Sequence, residues 1–244
     1  MAFVLVHGAG LGAQCWQRLM PLLDGETCAV DLPGRGSRSD VDLQSVTLSD
    51  CEHAIVDDVV NAGLTDIVLV AHSFAGVSVP RVMSALAPRL RHVVFLSAVV
   101  PEDGTRVIDQ IDPDVRSAVE ASIGDGIYHQ DRAGAEAMLC NDLDAADTAW
   151  TLDQVIDESA ALLAEAVDLS GLAVDVPRTY VRLTKDNCYP PELQERSSRI
   201  VGGDTHFLES GHMAMISIPD QVAALLNRLH NDDHLAADPS PSET

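Results

Sequence analysis

Ile67-Val68-Leu69-Val70-Ala71-His72-Ser73-Phe74-Ala75-Gly76 runs from an unbroken apolar segment straight into a serine flanked by small residues. The run Ile67 to Ala71 reads as a strand covered on both faces. The sequence after Gly76 is helical in pattern as far as Leu86. A serine between such a strand and such a helix sits on a tight elbow, which lifts its Oγ clear of the backbone at the carboxyl end of the strand. Backbone crowds the positions two before and two after it, so both must be small. The usual pattern, G-x-S-x-G, has glycine in both places. Here Ala71 and Ala75 fill them, and Gly76 leaves further room for helix–strand packing. The competing reading is a serine that only caps the helix.

The flanking sequence has the same rhythm. Phe3-Val4-Leu5-Val6 is a short apolar strand entering the glycine-rich loop His7-Gly8-Ala9-Gly10, and Cys28-Ala29-Val30 is a second strand. Between them Trp16, Leu19, Met20 and Leu23 recur at helical spacing. Ser49-Asp50-Cys51-Glu52 has the form of a capping box, with Cys51, Ile55, Val59 and Ala62 on one face and Gly63 as the C′ residue. Val93-Val94-Phe95-Leu96 and Thr179 to Leu183 repeat the buried-strand pattern, and Val222, Leu225, Leu226 and Leu229 mark a last amphipathic helix. Strands alternating with helices imply an α/β fold with a mostly parallel sheet of about six strands, covered by helices on both faces. Residues 101–174 break the rhythm with helical, Ala- and Asp-rich sequence and no convincing strand. They read as a helical cap inserted into a core of 1–100 and 175–230, with 231–244 as a polar, acidic, frayed tail.

A serine needs a base at neutral pH, and the base needs an orienting acid. On an elbow of this kind the partners follow in the order acid, then histidine. Asp186 in Thr184-Lys185-Asp186-Asn187 lies just past the strand ending at Leu183, where the acid belongs. Asp103, beyond Leu96, is the alternative. His212 in Ser210-Gly211-His212-Met213 follows the next expected strand, Thr205 to Glu209, and precedes the last helix. The chain has nine histidines. Of the others, His7 reads as a structural orienter of the first loop, and His72 flanks the nucleophile but points away from the turn. His206 lies inside a strand, and His53, His92, His129, His230 and His234 read as surface or cap residues. The amides of Ala9 and Phe74 are the candidate donors of an oxyanion hole.

The formal net charge of −23 argues against nucleic acid and anionic membrane surfaces as partners. No apolar run is long enough to span a bilayer, and the N-terminus lacks the layout of a signal peptide. A cytoplasmic protein is expected. The five scattered cysteines contain no C-x-x-C, so buried free thiols are expected, with no disulfide framework and no metal site.

Together these residues resemble the α/β-hydrolase superfamily. Within it the sequence is similar to the plant methyl-salicylate esterase and hydroxynitrile lyase group and its bacterial relatives. The resemblance is carried by Val4 to Gly10, Ala71 to Gly76, Thr184-Lys185-Asp186 with Pro191-Glu192-Leu193-Gln194, and Gly211-His212-Met213-Ala214-Met215. The cap matches poorly, and the cap sets substrate choice in that group. The lyases carry threonine after the first-loop histidine and lysine after the catalytic one. Here those positions are Gly8 and Met213, and the esterase members resemble His212-Met213-Ala214-Met215.

The resemblance implies a serine hydrolase acting through an acyl-enzyme on a small or medium ester, with no cofactor. Alternatives are a thioesterase, a lactonase, or an enzyme that passes the acyl group to an internal nucleophile. A hydroxynitrile lyase and a non-catalytic ligand receptor are less favoured. The partner is a small-molecule acyl substrate, and a homodimer is allowed. Gly8, Gly10, Tyr128, Met138, Leu139, Trp150 and Met213 are the candidate substrate contacts.

Overall fold

A computed structural model of the chain describes residues 2–110, 113–121 and 123–231, with the backbone alone at 113–115, 118 and 231. The rest of the expected tail, 232–244, lies outside the described residues. In chain order the first elements are β1 (Ala2–Val6), β2 (Glu26–Val30), α1 (Leu48–Asn61), β3 (Ile67–His72), α2 (Val79–Leu86) and β4 (Leu90–Leu96). A long excursion follows, with α3 (Pro113–Ala121), β5 (Ile123–Gly124), β6 (Ile127–Tyr128), α4 (Arg132–Leu139), α5 (Ala145–Leu152), β7 (Glu158–Ser159) and α6 (Ala160–Ala164). The chain then returns through β8 (Arg178–Leu183), α7 (Pro191–Val201), β9 (Asp204–Leu208), α8 (Ala214–Ser217) and α9 (Pro219–Asn231).

Six strands form one sheet in the order β2-β1-β3-β4-β8-β9, and every neighbouring pair is parallel. Strand side chains alternate between faces, and the core divides accordingly. Val4, Val6, Leu69, Ala71 and Phe95 join a cluster with Cys51, Ile55, Val59 and Met83 of α1 and α2. Phe3, Leu5, Val68, Val70 and Leu96 join the opposite cluster with Trp16, Leu19 and the α9 residues Val222, Leu225 and Leu226. Burial on both faces is why these strands read as continuous apolar runs.

β1 lies between β2 and β3, so the chain reverses its direction of travel across the sheet there. Such a reversal opens a crevice at the carboxyl ends of the two diverging strands. The loop after β1 and the elbow after β3 meet in it, brought side by side by the pairing Val6 with Ala71.

Local details depart from the sequence reading. Helix α1 is capped by Thr47, not Ser49. The Thr47 hydroxyl accepts from the Asp50 amide at 3.2 Å and the Asp50 carboxylate accepts from the Thr47 amide at 2.9 Å. Leu48 is fully buried, so the helix has to start before it to turn that side chain inward. The segment holding Trp16, Leu19 and Leu23 is a pair of short 3₁₀ turns, because Pro21 cannot donate within a longer helix. Residues 101–174 do contain strands: β5, β6 and β7 form a small antiparallel sheet. Each is only two residues long, too short to show alternation in sequence. His92 and His230 are interior residues. His92 shares a hydrogen bond with Thr179 at 2.9 Å and burial lowers its pKa to about 4, while His230 packs its ring on Phe3.

Candidate active site

The residue after β3 is Ser73, and its φ of +53° is positive, as among the described non-glycine residues only Asp66, Ser97 and Asp125 also are. Holding an L-residue there costs about 1–3 kcal/mol, so the surroundings must enforce it. They do so by close contact. A Cβ on Gly8 would lie 2.7 Å from the Ser73 Cβ, and one on Gly76 would lie 2.4 Å from the Val99 carbonyl oxygen. The Val99 amide donates to the Ser73 carbonyl at 2.8 Å. The elbow is thus wedged between the loop after β1 and the loop after β4. Ala71 and Ala75, both buried, fill the places usually held by glycine.

Three distant segments meet at this edge of the sheet. Ser73 Oγ and His212 Nε2 are 2.9 Å apart, and His212 Nδ1 and Asp186 Oδ2 are 2.7 Å apart. Asp186 sits past β8 and His212 past β9. The Asp186 carboxylate has further donors. Ser97 Oγ reaches Oδ2 at 2.6 Å, and the amides of Cys188 and Tyr189 reach Oδ1 at 2.7 and 2.9 Å. Gln194, inside α7, steadies that loop by bonding both the amide and the carbonyl of Leu183 and the carbonyl of Tyr189. Asp103 plays no part here. It accepts from the Leu169 amide, away from the imidazole. Lys185 pairs with Glu209 at an exposed position.

These contacts set the charge states. Burial alone would raise the Asp186 pKa, but the imidazole charge and the hydrogen bonds from His212, Ser97 and Tyr189 outweigh it and hold the carboxyl below its usual range. Burial alone would lower the His212 pKa. The Cys188 side chain and the Asp186 carboxylate reverse this and raise it well above the ordinary imidazole value. His72 is buried against His212, its Nε2–H donating to the His212 carbonyl at 3.0 Å, and burial holds it neutral with a pKa of about 3.

His7 orders the first loop, as its sequence position suggests. Its Nδ1–H donates to the Gly8 carbonyl at 2.8 Å and its Nε2 accepts from the Leu32 amide at 3.2 Å. Burial lowers its pKa to about 4, which preserves this neutral tautomer. Across a trans peptide the C=O and the next N–H point in opposite directions. Anchoring the Gly8 carbonyl on His7 therefore aims the Ala9 N–H away from it. Ala9 and Phe74 both line the cavity into which Ser73 and His212 open.

That cavity has a volume of about 490 Å³. Phe74, Val99, Leu139, Met138, Tyr128 and Leu193 give it an apolar wall, and Gln110, Gln130 and Asn187 add polar points. Of the expected substrate contacts, Tyr128, Met138 and Leu139 line it. Gly8, Gly10, Trp150 and Met213 do not, which corrects that expectation. Gly8 is pressed against Ser73, and Gly10 is occupied by hydrogen bonds to 156 and 158. Met213 is fully buried, and Trp150 packs half-buried into the core on the α9 side. Glu158, Cys188 and Tyr189 line the cavity and were not anticipated. The last two follow Asp186 so closely that their position could have been inferred. Among the described residues no cluster of three His, Cys, Asp or Glu side chains is placed to hold a metal ion.

The chain as a whole has counterparts among known proteins. The chain is 27% identical to the pheophorbidase of Raphanus sativus over 93% of this chain and 92% of that protein. It is 26% identical to the polyneuridine aldehyde esterase of Rauvolfia serpentina over 92% of this chain and 93% of that one. Its fold overlays on an extracellular alpha/beta-hydrolase from a Paenibacillus species with a TM-score of 0.85 at 22% identity, covering 95% of this chain and all of the other. Residues 3–225, which carry the sheet, the elbow and the loops of Asp186 and His212, match the family described as the alpha/beta hydrolase family, and the chain belongs to it.

Proposed function

We propose that the protein is a serine carboxylesterase that cleaves small or medium, largely apolar esters through an acyl-enzyme. The observation that carries this is the continuous relay from Ser73 Oγ through His212 to Asp186, opening into an apolar cavity. In the first step Ser73 Oγ attacks the ester carbonyl carbon while His212 Nε2 takes its proton. The Ala9 and Phe74 amides stabilise the oxyanion. Asp186 holds the imidazole in the required tautomer and stabilises the imidazolium. The tetrahedral species collapses, the C–O bond breaks, and the alcohol leaves with the proton from His212. Water then attacks the acyl-enzyme, again losing its proton to His212, and the acid departs as Ser73 is restored.

The substrate class follows from the wall. Among the described residues that line the cavity none is lysine or arginine, so no cation is offered to a second, free carboxylate. The one carboxylate there, Glu158, is already paired with Arg35, so neither member of the pair is free to hold such a group. The name of the polyneuridine aldehyde esterase supports the ester-cleaving part of this reading. In it, 101–174 acts as a cap that selects the acyl or alcohol portion, since it supplies Tyr128, Met138 and Leu139.

A fluorophosphonate should label the protein stoichiometrically at Ser73. Ser73→Ala should lose about 10⁴-fold or more in turnover while remaining folded. Across a panel of esters, neutral apolar members should be preferred over analogues bearing a free carboxylate. An unlabelled Ser73 in folded protein, or undiminished hydrolysis by Ser73→Ala, would remove the reading.

A further inference from the structure

Arg35 and Glu158 form an ion pair with both side chains 3% exposed, joining the loop after β2 to β7 above the cavity. A buried pair of this kind contributes little net stability compared with well-packed apolar residues, so its polar contacts with the backbone are the more informative feature. Glu158 Oε2 accepts from the Gly10 amide at 3.0 Å as well as from Arg35 at 2.9 Å. Arg35 also donates to the Leu11 carbonyl at 3.2 Å. The Ile156 amide donates to the Gly10 carbonyl at 3.0 Å.

The loop after β1 is therefore pinned peptide by peptide. His7 holds the Gly8–Ala9 unit by its carbonyl, Glu158 holds the Ala9–Gly10 unit by its N–H, and Ile156 holds the Gly10–Leu11 unit by its carbonyl. Fixing the peptide on each side of Ala9 leaves its N–H a single direction. We propose that Arg35 and Glu158 are positioning residues that preset the Ala9 amide for the oxyanion, so that seating the cap on the core and completing the oxyanion hole are one event. This rests on the esterase reading of the site. Neither residue touches the reacting atoms. Their effect passes through the Gly10 amide, and the charge pair keeps the carboxylate where that amide needs it.

Removing Glu158 alone would strand a buried guanidinium and threaten the fold. The test therefore exchanges the pair. Arg35→Met with Glu158→Leu removes both charges and the acceptor for Gly10, while keeping the space filled. Arg35→Met with Glu158→Gln removes both charges but keeps a carbonyl oxygen for the Gly10 amide. With p-nitrophenyl acetate as substrate, the Met/Leu protein should lose about 10-fold to 100-fold in kcat, less than the 10²–10³ that follows outright loss of an oxyanion donor. Its KM should stay within about threefold, because the interaction is made chiefly in the transition state. Affinity for a boronic acid that forms a tetrahedral adduct on Ser73 should fall in parallel with kcat. The Met/Gln protein should recover most of both losses. The proposal fails if the Met/Leu protein keeps wild-type kcat, if both double variants lose kcat alike, or if the loss tracks KM or thermal midpoint instead of boronate affinity. Wild-type labelling by a fluorophosphonate and wild-type ester turnover test the esterase reading by themselves. An active, labelled wild type with indifferent double variants overturns only the positioning role.

Discussion

Ser97 donates its hydroxyl proton to Asp186 Oδ2 at 2.6 Å, the same oxygen that takes the His212 ring at 2.7 Å. Ser97 stands at the end of β4 with φ +40°, held by its own amide bonding the Val181 carbonyl at 2.8 Å. The orienting acid is thus itself oriented from a neighbouring strand. A hydrogen bond to a buried charged group contributes about 1.5–3 kcal/mol. Ser97→Ala should cut kcat about tenfold with little change in KM, since one donor of several is lost and the carboxylate gains freedom to turn. Steady-state kinetics on one neutral ester checks this, and an unchanged kcat would show that the Cys188 and Tyr189 amides suffice.

The contact between Gly8 and Ser73 gives a second expectation. Gly8→Ala places a methyl 2.7 Å from the Ser73 Cβ and 3.1 Å from its Oγ, closer than real side chains approach. Neither neighbour is free to yield, because Ser73 is locked by the elbow and Gly8 by His7. A displacement of about 1 Å at a nucleophile can cost 10²-fold. Gly8→Ala should therefore lose about that much in kcat/KM and slow fluorophosphonate labelling in proportion, with the thermal midpoint only modestly reduced. Labelling at the wild-type rate would contradict it.

The protonation of His212 sets a pH dependence whose sign can be worked out. The imidazole must be neutral to accept the Ser73 proton, and its pKa in the folded protein is raised. Activity should therefore climb with pH along a limb lying above the ordinary histidine value of about 6.5. Asp186 is among the groups that raise it, through the 2.7 Å bond to Nδ1, so Asp186→Asn should move the limb toward lower pH. Stability follows the same linkage. The raised His212 stabilises the fold below its unfolded pKa, and that contribution is lost as pH climbs through the folded pKa. The depressed Asp186 contributes above its unfolded pKa, and that is lost as pH falls through its lower folded value. A kcat/KM profile with its ascending limb below the ordinary histidine value, or one unmoved by Asp186→Asn, would count against this account.

What the sequence made legible and what it hid have physical causes. Ser73 follows an apolar strand directly and Asp186 follows another within three residues, while His212 lies four residues past the polar edge strand β9, so the order of strands places all three at one edge of the sheet. Ser97 also ends a strand, but its partner is 89 residues away and a serine after a strand has many uses. Glu158 is harder still. It reaches Gly10 from 148 residues away and Arg35 from 123, out of a two-residue strand in a segment with little alternation. The histidines divide in the same way. His7 was readable because its partner Gly8 is adjacent, whereas His92 and His230 are buried by contacts the chain makes only after folding.

Met138 and Trp150 are both large apolar residues of the 101–174 segment, and the structure separates them. Both pack half-buried against the core on the α9 side, but Met138 also lines the cavity and Trp150 does not. Truncating each should therefore differ in its effect on ester choice. Met138→Ala adds room to the cavity as well as removing contacts from the core edge. It should change the ratio of kcat/KM between a short-chain and a bulkier ester by about 10-fold or more, the scale set by one or a few methylenes in an apolar pocket. Trp150→Ala removes contacts from a packed cluster. It should lower the thermal midpoint while leaving that ratio near the wild-type value, since the residue does not touch the cavity. Measuring both variants on the same pair of esters, with a thermal melt for each, separates wall from core. A change in ester ratio for Trp150→Ala equal to that for Met138→Ala would mean that the cavity wall is set by how the whole 101–174 segment is seated and not by the side chains that face it.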